Sequence, residues 1–310
     1  MSLVTVVIPT HNRTAFLRDA IESVRRQSFT NIEILIVDDA SVPPLTEVLA
    51  DAPGGEVRVI RHSDNRGPGE SRRTGVAAAR GDYIAFLDDD DVFDPRLLET
   101  AVRVLERDRS IGLFCCDGLL IDEQGSPLPG GKTFNRVQAA IHGYPLRTGP
   151  RSLEDVFLWP TVGIGFVVRR AVFADVAYPM HRWLEDYRFQ LEVAASGWRV
   201  YYHHEPIASY RMHGHNASAP NPMMCREMVD CLEDARRRFA PLRQIGARAR
   251  RRVAQARMDF AISSLRDGDI AQGLRSLGGA LAAHPAQGVA LLRFGQRWLA
   301  KRSGTVPLSA

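Results

Sequence analysis

Residues 81–91 read GDYIAFLDDDD, a short apolar run that ends in four consecutive aspartates. The run 83–87 carries no charge, which is typical of a strand buried on both faces. Four adjacent carboxylates repel one another, so their position directly after a buried strand favours a cation at that strand end. The segment therefore predicts one strand of a central sheet with a charged site at its carboxyl end.

Apolar runs at 4–8 and 32–37 follow the same pattern, because each ends in a polar cluster, PTHNR at 9–13 and Asp38-Asp39. Further strands are predicted at 57–60 and 111–116, and helices at 14–24, 45–50, 71–79 and 95–107 separate the strands. This alternation indicates right-handed crossovers and a mainly parallel sheet. Ligands of such sheets bind outside the carboxyl ends of the strands, so we expect the polar clusters to meet on one edge.

The aspartate tract 88–91 predicts a metal–phosphate site. Oxygen ligands favour hard cations such as Mg²⁺ or Mn²⁺, and Mg²⁺ usually takes one or two carboxylates and fills its other positions with water and substrate phosphate. The alternative is that the acids complement the dipole of the helix predicted to begin near Pro95. That alternative accounts for one or two acids and not for four.

The acidic pair Asp38-Asp39 follows the second predicted strand. A buried aspartate in this place accepts hydrogen bonds from a nucleobase N–H or from ribose hydroxyls. The alternative is a turn or cap, because Ser41 and Pro43-Pro44 follow within a few residues. The pair alone does not decide between these interpretations.

The pair Glu185-Asp186 precedes a mixed apolar stretch that predicts a helix with acids in its first turn. Such acids complement the helix dipole. The functional interpretation is a general base beside an apolar wall that raises its pKa.

His213 lies in the segment YRMHGHN, residues 210–216. Two histidines and an arginine in a loop that contains glycine are able to meet a phosphate or a metal ion. The alternative is a solvated loop histidine, and the segment alone leaves both interpretations open.

The composition is that of a folded globular protein. Hydrophobic residues make up 45% and charged residues 25% of the 310 positions, which excludes a disordered chain, a collagen-like fibre and a coiled-coil rod. The four cysteines have neither disulfide-framework nor zinc-site spacing, so we expect reduced thiols in a cytosolic protein. We expect no signal peptide and no membrane span, since the best apolar candidate, 277–292, is interrupted by His284-Pro285.

Charge is distributed unevenly along the chain. Residues from 217 onward include 16 basic and 7 acidic side chains, whereas the preceding part is acidic, and the whole chain has a net charge of +4. The segment 236–257 contains nine arginines and no acid. A basic helical tail of this kind binds anionic lipid or nucleic acid. The alternative is a solvated helix surface.

Helical apolar spacing continues from about 222 to 302. A helix ending near Arg266, a Gly268-Asp269 turn, a second helix over 271–283 and Pro285 resemble a single tetratricopeptide-like hairpin. One hairpin buries too little apolar surface to fold alone, so we expect it to pack on another domain or on a partner.

The ordered motifs resemble those of the family 2 glycosyltransferases with the GT-A fold. The resemblance covers about residues 3–218 and is carried by VVIPTHNR (6–13), IVDDAS (36–41), NRG with Arg72 (65–72), GDYIAFLDDDD (81–91), FVVRR (166–170) before Glu185-Asp186, and YR-x-H (210–213). The chain departs from the family pattern at Arg73, where the family has Asn, and at VAYP (176–179), where it has Gly-Gly-Phe-Asp.

The resemblance implies inverting transfer of a sugar from a nucleoside diphosphate donor, UDP foremost, to a hydroxyl of an unknown glycan or lipid-linked glycan. The donor-binding residues that it implies are Pro9, His11, Arg13, Asp38, Asp39, Asn65, Arg72, Asp88 and Asp89. Asp88 and Asp90, joined by His213, would hold Mg²⁺ or Mn²⁺ on the diphosphate. Asp186 would take the proton of the acceptor hydroxyl as general base.

We therefore expect two domains, an α/β GT-A catalytic domain over 1–218 with a mainly parallel sheet and an α-helical extension over 219–310. We expect a cytoplasmic enzyme of bacterial cell-surface polysaccharide or glycoconjugate synthesis, without a nucleic-acid partner. Its tail would make peripheral contact with an anionic membrane or form a homodimer.

Two other functions are weighed against this one. A sugar nucleotidyltransferase usually has a Gly-rich loop with Lys after its first strand, and residues 9–13 contain neither. The intact aspartate tract and Glu185-Asp186 argue against a non-catalytic interaction protein that works through the helical tail.

Overall fold

The computed structural model describes residues 2–45, 57–142, 145–161, 164–181, 183–214 and 221–283. The chain divides into two units, Met1–Ala217 and Ser218–Ala310. The first unit contains a sheet with flanking helices, and the described part of the second unit is helical. The helix predicted over 45–50 lies outside the described residues from position 46 onward.

Within the described residues, nine strands form one sheet in the first unit. In chain order they are β1 (Val4–Thr10), β2 (Ile32–Asp38), β3 (Val57–Arg61), β4 (Tyr83–Phe86), β5 (Val92–Phe93), β6 (Ile111–Ile121), β7 (Gly149–Arg151), β8 (Ile164–Arg169) and β9 (Arg199–Arg211). Their order across the sheet is β3-β2-β1-β4-β8-β6-β9-β5, and β7 also pairs with β9.

The helices described in the first unit flank this sheet. They are α1 (Thr14–Arg25), α2 (Pro68–Ala78), α3 (Leu97–Arg107), α4 (Phe134–His142), α5 (Leu153–Leu158) and α6 (Glu185–Ala195). Helix α2 begins three residues before the predicted start at 71, because Pro68 fits the first helical turn, where no backbone donor is needed.

One half of the sheet is parallel, as the strand–helix alternation predicts. Strand β1 pairs in parallel with β2 and with β4, and β2 pairs in parallel with β3. Every residue of β1 is buried, as expected for a strand covered on both faces. Because these strands share one direction, the loops after β1, β2 and β4 leave the sheet at the same edge.

The other half of the sheet contains antiparallel pairs. Strand β8 lies between β4 and β6 and is antiparallel to both, while β6 pairs in parallel with β9. Strand β6 continues five residues beyond the predicted end at 116, although Asp117 disfavours a strand. The Asp117 carboxylate is buried and accepts from the Thr133 hydroxyl at 2.6 Å and the Asn135 N–H at 3.0 Å, so the strand continues through it.

Helices α1 and α3 pack into the same apolar cluster as β1. Their buried residues recur at helical spacing, namely Leu17, Ala20, Ile21 and Val24 in α1 and Leu98, Ala101, Val102 and Leu105 in α3. Each fully buried Leu, Ile or Val contributes about 1.5–3 kcal/mol through removal of apolar surface from water. This cluster fixes the position of β1, and with it the start of the loop 11–13.

The described helices of the second unit are α7 (Pro222–Arg238), α8 (Ala240–Gln244), α9 (Gly246–Arg266) and α10 (Ile270–Ala283). Helices α9 and α10 form a hairpin whose turn contains Gly268 at φ +91°, a conformation that favours glycine. The Ser276 hydroxyl donates to the Arg257 carbonyl across the hairpin at 2.8 Å. Among the described residues, no helix combines the length and apolar character needed to cross a bilayer.

Candidate functional site

The aspartate tract lies after β4 at the edge where the parallel strands end. Carboxylate oxygens of Asp88, Asp90 and Asp91 lie within 4.8 Å of one another. Burial, with the charge of neighbouring aspartates, raises the pKa of Asp89 to about 6 and raises that of Asp91 well above its ordinary value. Three convergent carboxylates form a set of hard oxygen ligands, and such a set fits Mg²⁺ or Mn²⁺.

The loop after β1 contacts the tract through two side chains. The Thr10 hydroxyl donates to Asp89 Oδ2 at 2.6 Å. Arg13 Nη1 donates to Asp89 Oδ1 at 3.2 Å and to Asp90 Oδ2 at 2.6 Å. The structure thus brings Arg13 against Asp89, which the resemblance also assigns to the donor, and against Asp90, which it assigns to the metal.

The end of β9 closes the tract from another side. Arg211, buried at 2% side-chain exposure, donates from its backbone N–H to Asp91 Oδ1 at 3.0 Å and from Nε to the Asp90 carbonyl at 2.9 Å. His213 Nε2 donates to Asp90 Oδ2 at 2.9 Å, and its ring stacks on Phe16 with centroids 5.2 Å apart. His213 is therefore held next to Asp90.

Arg72 joins the tract to the start of α6. Its guanidinium donates to Asp88 and, at 2.9 Å, to Glu185 Oε1. The group is buried at 8% side-chain exposure and lies 5.5 Å from the centroid of the Tyr178 ring. Asp88 and Glu185 are 97 residues apart, and a single buried cation connects them.

Asp38 and Asp39 are placed at the same edge, and their carboxylates already have protein partners. Asp38 accepts from the Ser41 N–H at 2.9 Å and from the Arg61 guanidinium. Asp39 accepts from the Gly67 N–H at 2.7 Å and from His62 Nδ1 at 2.7 Å. Both side chains therefore fix the loops that follow β2 and β3.

The other residues assigned to the donor lie on these loops. His11 Nδ1 donates to the Asp39 carbonyl at 2.7 Å, and Asn65 Oδ1 accepts from the Gly67 N–H at 3.1 Å. Gly67 has φ +85°, which favours glycine at this turn. Pro9 lies in β1 opposite Val37 of β2. The assigned set therefore gathers around the ends of β1, β2 and β4.

Helix α6 begins at Glu185, as the acidic pair predicts, after Leu184 in the left-handed region at φ 58°. Burial raises the pKa of Glu185 to about 7; Arg72 opposes this rise and Asp186 adds to it. Asp186 is half-buried in the same first turn. The first turn of α6 thus places the Glu185 carboxyl against Arg72, and Asp186 is the next residue.

We expect the protein without added metal to lose stability, relative to Glu185→Gln, as the pH rises from about 4.5 to about 7. A carboxyl with a higher pKa in the folded state binds more protons folded than unfolded, so its ionisation destabilises the fold across that window. Denaturant unfolding of both proteins at about pH 5 and about pH 8 measures the difference. Parallel pH dependence in the two proteins would contradict the placement of Glu185.

Three contacts of the site are not predictable from the sequence, although two of the residues that make them belong to the quoted motifs. Thr10 binds Asp89, Tyr178 lies under Arg72, and Arg211 fixes the backbone and carboxylate of the tract. Arg211 belongs to the quoted closing motif, but its role in fixing the tract follows only from the structure. Tyr178 lies within the segment where the chain departs from the family pattern.

Comparison with known proteins finds similarity in the first part of the chain. Residues 5–123 match the profile described as "Glycosyl transferase family 2". An "Uncharacterized glycosyltransferase" of Haemophilus influenzae is 36% identical over 112 residues, 36% of this chain and 37% of the relative. The "Succinoglycan biosynthesis protein ExoO" of Rhizobium meliloti is 38% identical over 109 residues, 35% of this chain and 30% of the relative. The matched regions span 37% and 30% of the length of these two relatives.

Two solved structures share the fold. The S. aureus protein TarS, residues 1–349 with UDP-GlcNAc, has a TM-score of 0.64 at 17% identity, over 91% of this chain and 81% of that chain. A mannosyltransferase of Pyrobaculum calidifontis with GDP-Man and Mn²⁺ has a TM-score of 0.64 at 17% identity, over 98% of this chain and 83% of that chain. The fold is therefore a mixed α/β fold of the GT-A type with a helical C-terminal region.

Proposed function

We propose that this chain is an inverting glycosyltransferase that moves a sugar from a nucleoside diphosphate-sugar to an acceptor hydroxyl with the help of Mg²⁺ or Mn²⁺. The observation that carries the proposal is the convergence of Asp88, Asp90 and Asp91 within 4.8 Å, at the edge where the parallel strands end. The family match over residues 5–123 and the sugar nucleotides bound by the two similar structures support it.

Asp88 and Asp90 would hold the cation, with His213 beside Asp90. When bound, the cation would offset the negative charge that develops on the leaving diphosphate. Asp89 lies apart from this group, since Thr10 and Arg13 bind its carboxylate. We assign Asp89 to positioning the loop after β1 against the donor.

The nucleoside would lie where the loops after β1, β2 and β3 meet. Asp38 and Asp39 already accept from protein donors, so we propose that they shape this pocket chiefly by fixing the loops that carry Ser41 and Gly67. His11 lies on the same loops, and a half-buried imidazole ring offers a face on which a nucleobase can pack. Asn65 orders the turn at Gly67.

Asp186 would accept the proton of the attacking hydroxyl on the side opposite the diphosphate. Glu185 beside it is engaged by Arg72, which also binds Asp88. The first turn of α6 is therefore tied to the donor side of the site. We therefore propose that Glu185 orients the helix and that Asp186 transfers the proton.

Thermal unfolding across UDP, GDP and dTDP, each with Mn²⁺ and with EDTA, tests the proposal and identifies the base. Ligand at a hundredfold excess over its dissociation constant should add about 2.7 kcal/mol to the free energy of unfolding. We expect stabilisation by one nucleotide that disappears with EDTA. Equal behaviour of all nucleotides, with and without metal, would contradict a metal-dependent nucleotide site.

We further propose that the helical unit makes peripheral contact with anionic membrane. Part of the arginine run is neutralised, since Arg257 pairs with Glu233 at 2.6 Å and Arg238 pairs with Asp234 at 3.2 Å. Arg250 and Arg251 of α9 are exposed. Exposed basic side chains near an anionic surface contribute about 1 kcal/mol each.

The double variant Arg250→Gln/Arg251→Gln should therefore weaken binding to phosphatidylserine-containing vesicles by about 2 kcal/mol, close to thirtyfold. Co-sedimentation at low and high salt measures it, because surface charge attraction is screened by salt. The matched control Arg226→Gln/Arg275→Gln removes two exposed arginines outside the run. Equal loss in both double variants, or no binding of the unmodified chain at low salt, would refute the assignment.

A further inference from the structure

One oxygen of the aspartate tract accepts two hydrogen bonds from cationic or potentially cationic side chains. Asp90 Oδ2 accepts from Arg13 Nη1 at 2.6 Å and from His213 Nε2 at 2.9 Å. A carboxylate oxygen has two lone-pair sites, so both are in use. A divalent cation that binds this oxygen must therefore displace one of the two donors.

The two donors differ in how firmly they are placed. The His213 side chain is 3% exposed and stacks on Phe16, whereas the Arg13 side chain is 34% exposed. An imidazole is able to remain in the shell of a metal ion as a neutral ligand or partner. A guanidinium has no acceptor atom and keeps its positive charge, so it is repelled by the incoming cation. Arg13 is the donor that has to leave.

The other arginines at the tract are not placed to exchange in this way. Arg72 is 8% exposed and bridges Asp88 to Glu185, and Arg211 is 2% exposed and binds the Asp90 carbonyl with Nε. Displacing either group would leave a buried charge without its partner, which costs several kcal/mol. Of the arginines described at this site, Arg13 is the one that both contacts the Asp90 carboxylate and is accessible to solvent.

We infer that Arg13 is a built-in counter-cation that occupies the divalent-ion position of Asp90 until metal and nucleotide arrive together. This inference rests on the proposed function, because it takes the nucleoside diphosphate as the second ligand. Released from Asp90, the guanidinium lies at the sheet edge assigned to the donor, still beside Asp89, and its five N–H donors are able to pair with phosphate oxygens, which arginine binds in a bidentate geometry. Arg13 thereby suppresses binding of metal alone and favours binding of metal with diphosphate.

The consequence is a coupling between the two ligands. Mn²⁺ without nucleotide has to break the Arg13–Asp90 pair at 2.6 Å and leaves Arg13 with the longer Asp89 contact at 3.2 Å, whereas Mn²⁺ with a diphosphate gives Arg13 a new partner. By thermodynamic linkage, each ligand then raises the affinity of the other by the same factor. Removing the guanidinium should therefore reduce both the effect of Mn²⁺ on nucleotide affinity and the equal effect of nucleotide on Mn²⁺ affinity.

Calorimetry of Mn²⁺ alone, and of UDP at saturating Mn²⁺, tests this on the full chain and on Arg13→Gln. We expect Arg13→Gln to bind Mn²⁺ alone about tenfold more tightly and to bind UDP with Mn²⁺ about tenfold more weakly, each a change of about 1.4 kcal/mol. Arg13→Lys keeps the positive charge, so its affinities for Mn²⁺ and for UDP should lie between those of the unmodified chain and those of Arg13→Gln. Arg18→Gln removes an exposed arginine five residues away on α1 and should change neither affinity.

The opposite signs of the two effects separate this role from a structural one. Weaker binding of both Mn²⁺ alone and UDP in Arg13→Gln would mean that Arg13 merely orders the tract, and the inference would fall while the proposed function stands. Unchanged Mn²⁺ affinity in Arg13→Gln would also overturn it. Metal-independent UDP binding, or its absence, in the unmodified chain would count against the proposed donor site itself and would remove the basis of the inference.

Discussion

Replacing Asp186 with asparagine is expected to lower turnover by about 10²–10⁴-fold, the range for a lost general base, while donor affinity stays nearly unchanged. The amide keeps the size of the side chain and cannot take the acceptor proton. Asp186 lies in the first turn of α6, one residue after the carboxyl that Arg72 binds. Product formation and donor affinity, measured on the same preparation, separate the chemical step from binding.

Glu185→Gln is the matched control for this substitution. It removes one negative charge from the same helical turn and disrupts the Arg72 contact, so we expect a smaller loss of turnover together with a change in stability. Near-normal turnover in Asp186→Asn, with a large loss of turnover in Glu185→Gln, would assign the general base to Glu185 instead of Asp186. Loss of donor binding in Asp186→Asn would instead give this side chain a structural or metal-shell role.

Asp90→Asn is expected to weaken Mn²⁺-dependent donor binding by at least about 10–100-fold, the loss seen when even a supporting partner of a metal ligand is removed. Asp90 belongs to the three-carboxylate group and is also the contact point of Arg13 and His213. The substitution conserves size and removes the charge that holds Arg13 and His213 and that would hold the cation. Calorimetry of UDP with Mn²⁺ and with EDTA measures the effect.

Asp94→Asn provides the control for Asp90→Asn. Asp94 is four residues away and its carboxylate pairs with Arg96 at 2.9 Å, outside the three-carboxylate group. We expect Asp94→Asn to retain metal-dependent UDP binding. Unchanged UDP affinity and unchanged metal dependence in Asp90→Asn would contradict the assignment of Asp90 to the metal.

The parallel half of the fold is predictable from the sequence because its strands are short apolar runs that end in polar clusters. Residues 4–8, 32–37 and 83–87 fix β1, β2 and β4, and three parallel strands place their carboxyl ends at one edge. The acids of Asp88–Asp91 and the loop residue Arg13 are therefore brought together by topology alone. Their spacing in the chain is enough to predict a charged site there.

The antiparallel half is less predictable, because its pairings join segments that are far apart in the chain. Strand β8 enters between β4 and β6 from more than 40 residues beyond β6, and no local pattern encodes that insertion. Asp117 interrupts the apolar pattern of β6, but Thr133 satisfies its carboxylate. Local propensity therefore predicts an earlier end for β6 than the structure shows, because tertiary contacts extend the strand.

The contacts inside the site show the same limit. The sequence contains the motif with Arg72 and the motif with Glu185, but it does not indicate that one guanidinium joins Glu185 to Asp88. Nor does it indicate that Arg13 and His213 share one oxygen of Asp90. Motifs indicate which residue types a site needs, whereas the hydrogen bonds among those residues depend on the packing of five separate segments of the chain.

The most direct test is hydrolysis of a panel of UDP- and GDP-sugars, in which water takes the sugar and nucleoside diphosphate is released, with Mn²⁺ and with EDTA, by the unmodified chain and by Asp90→Asn. We expect that one sugar nucleotide is cleaved, that EDTA abolishes the release, and that Asp90→Asn lowers it to near background. Absence of release from every sugar nucleotide tested, or release that persists with EDTA and in Asp90→Asn, would contradict a metal-dependent sugar transferase built on the aspartate tract.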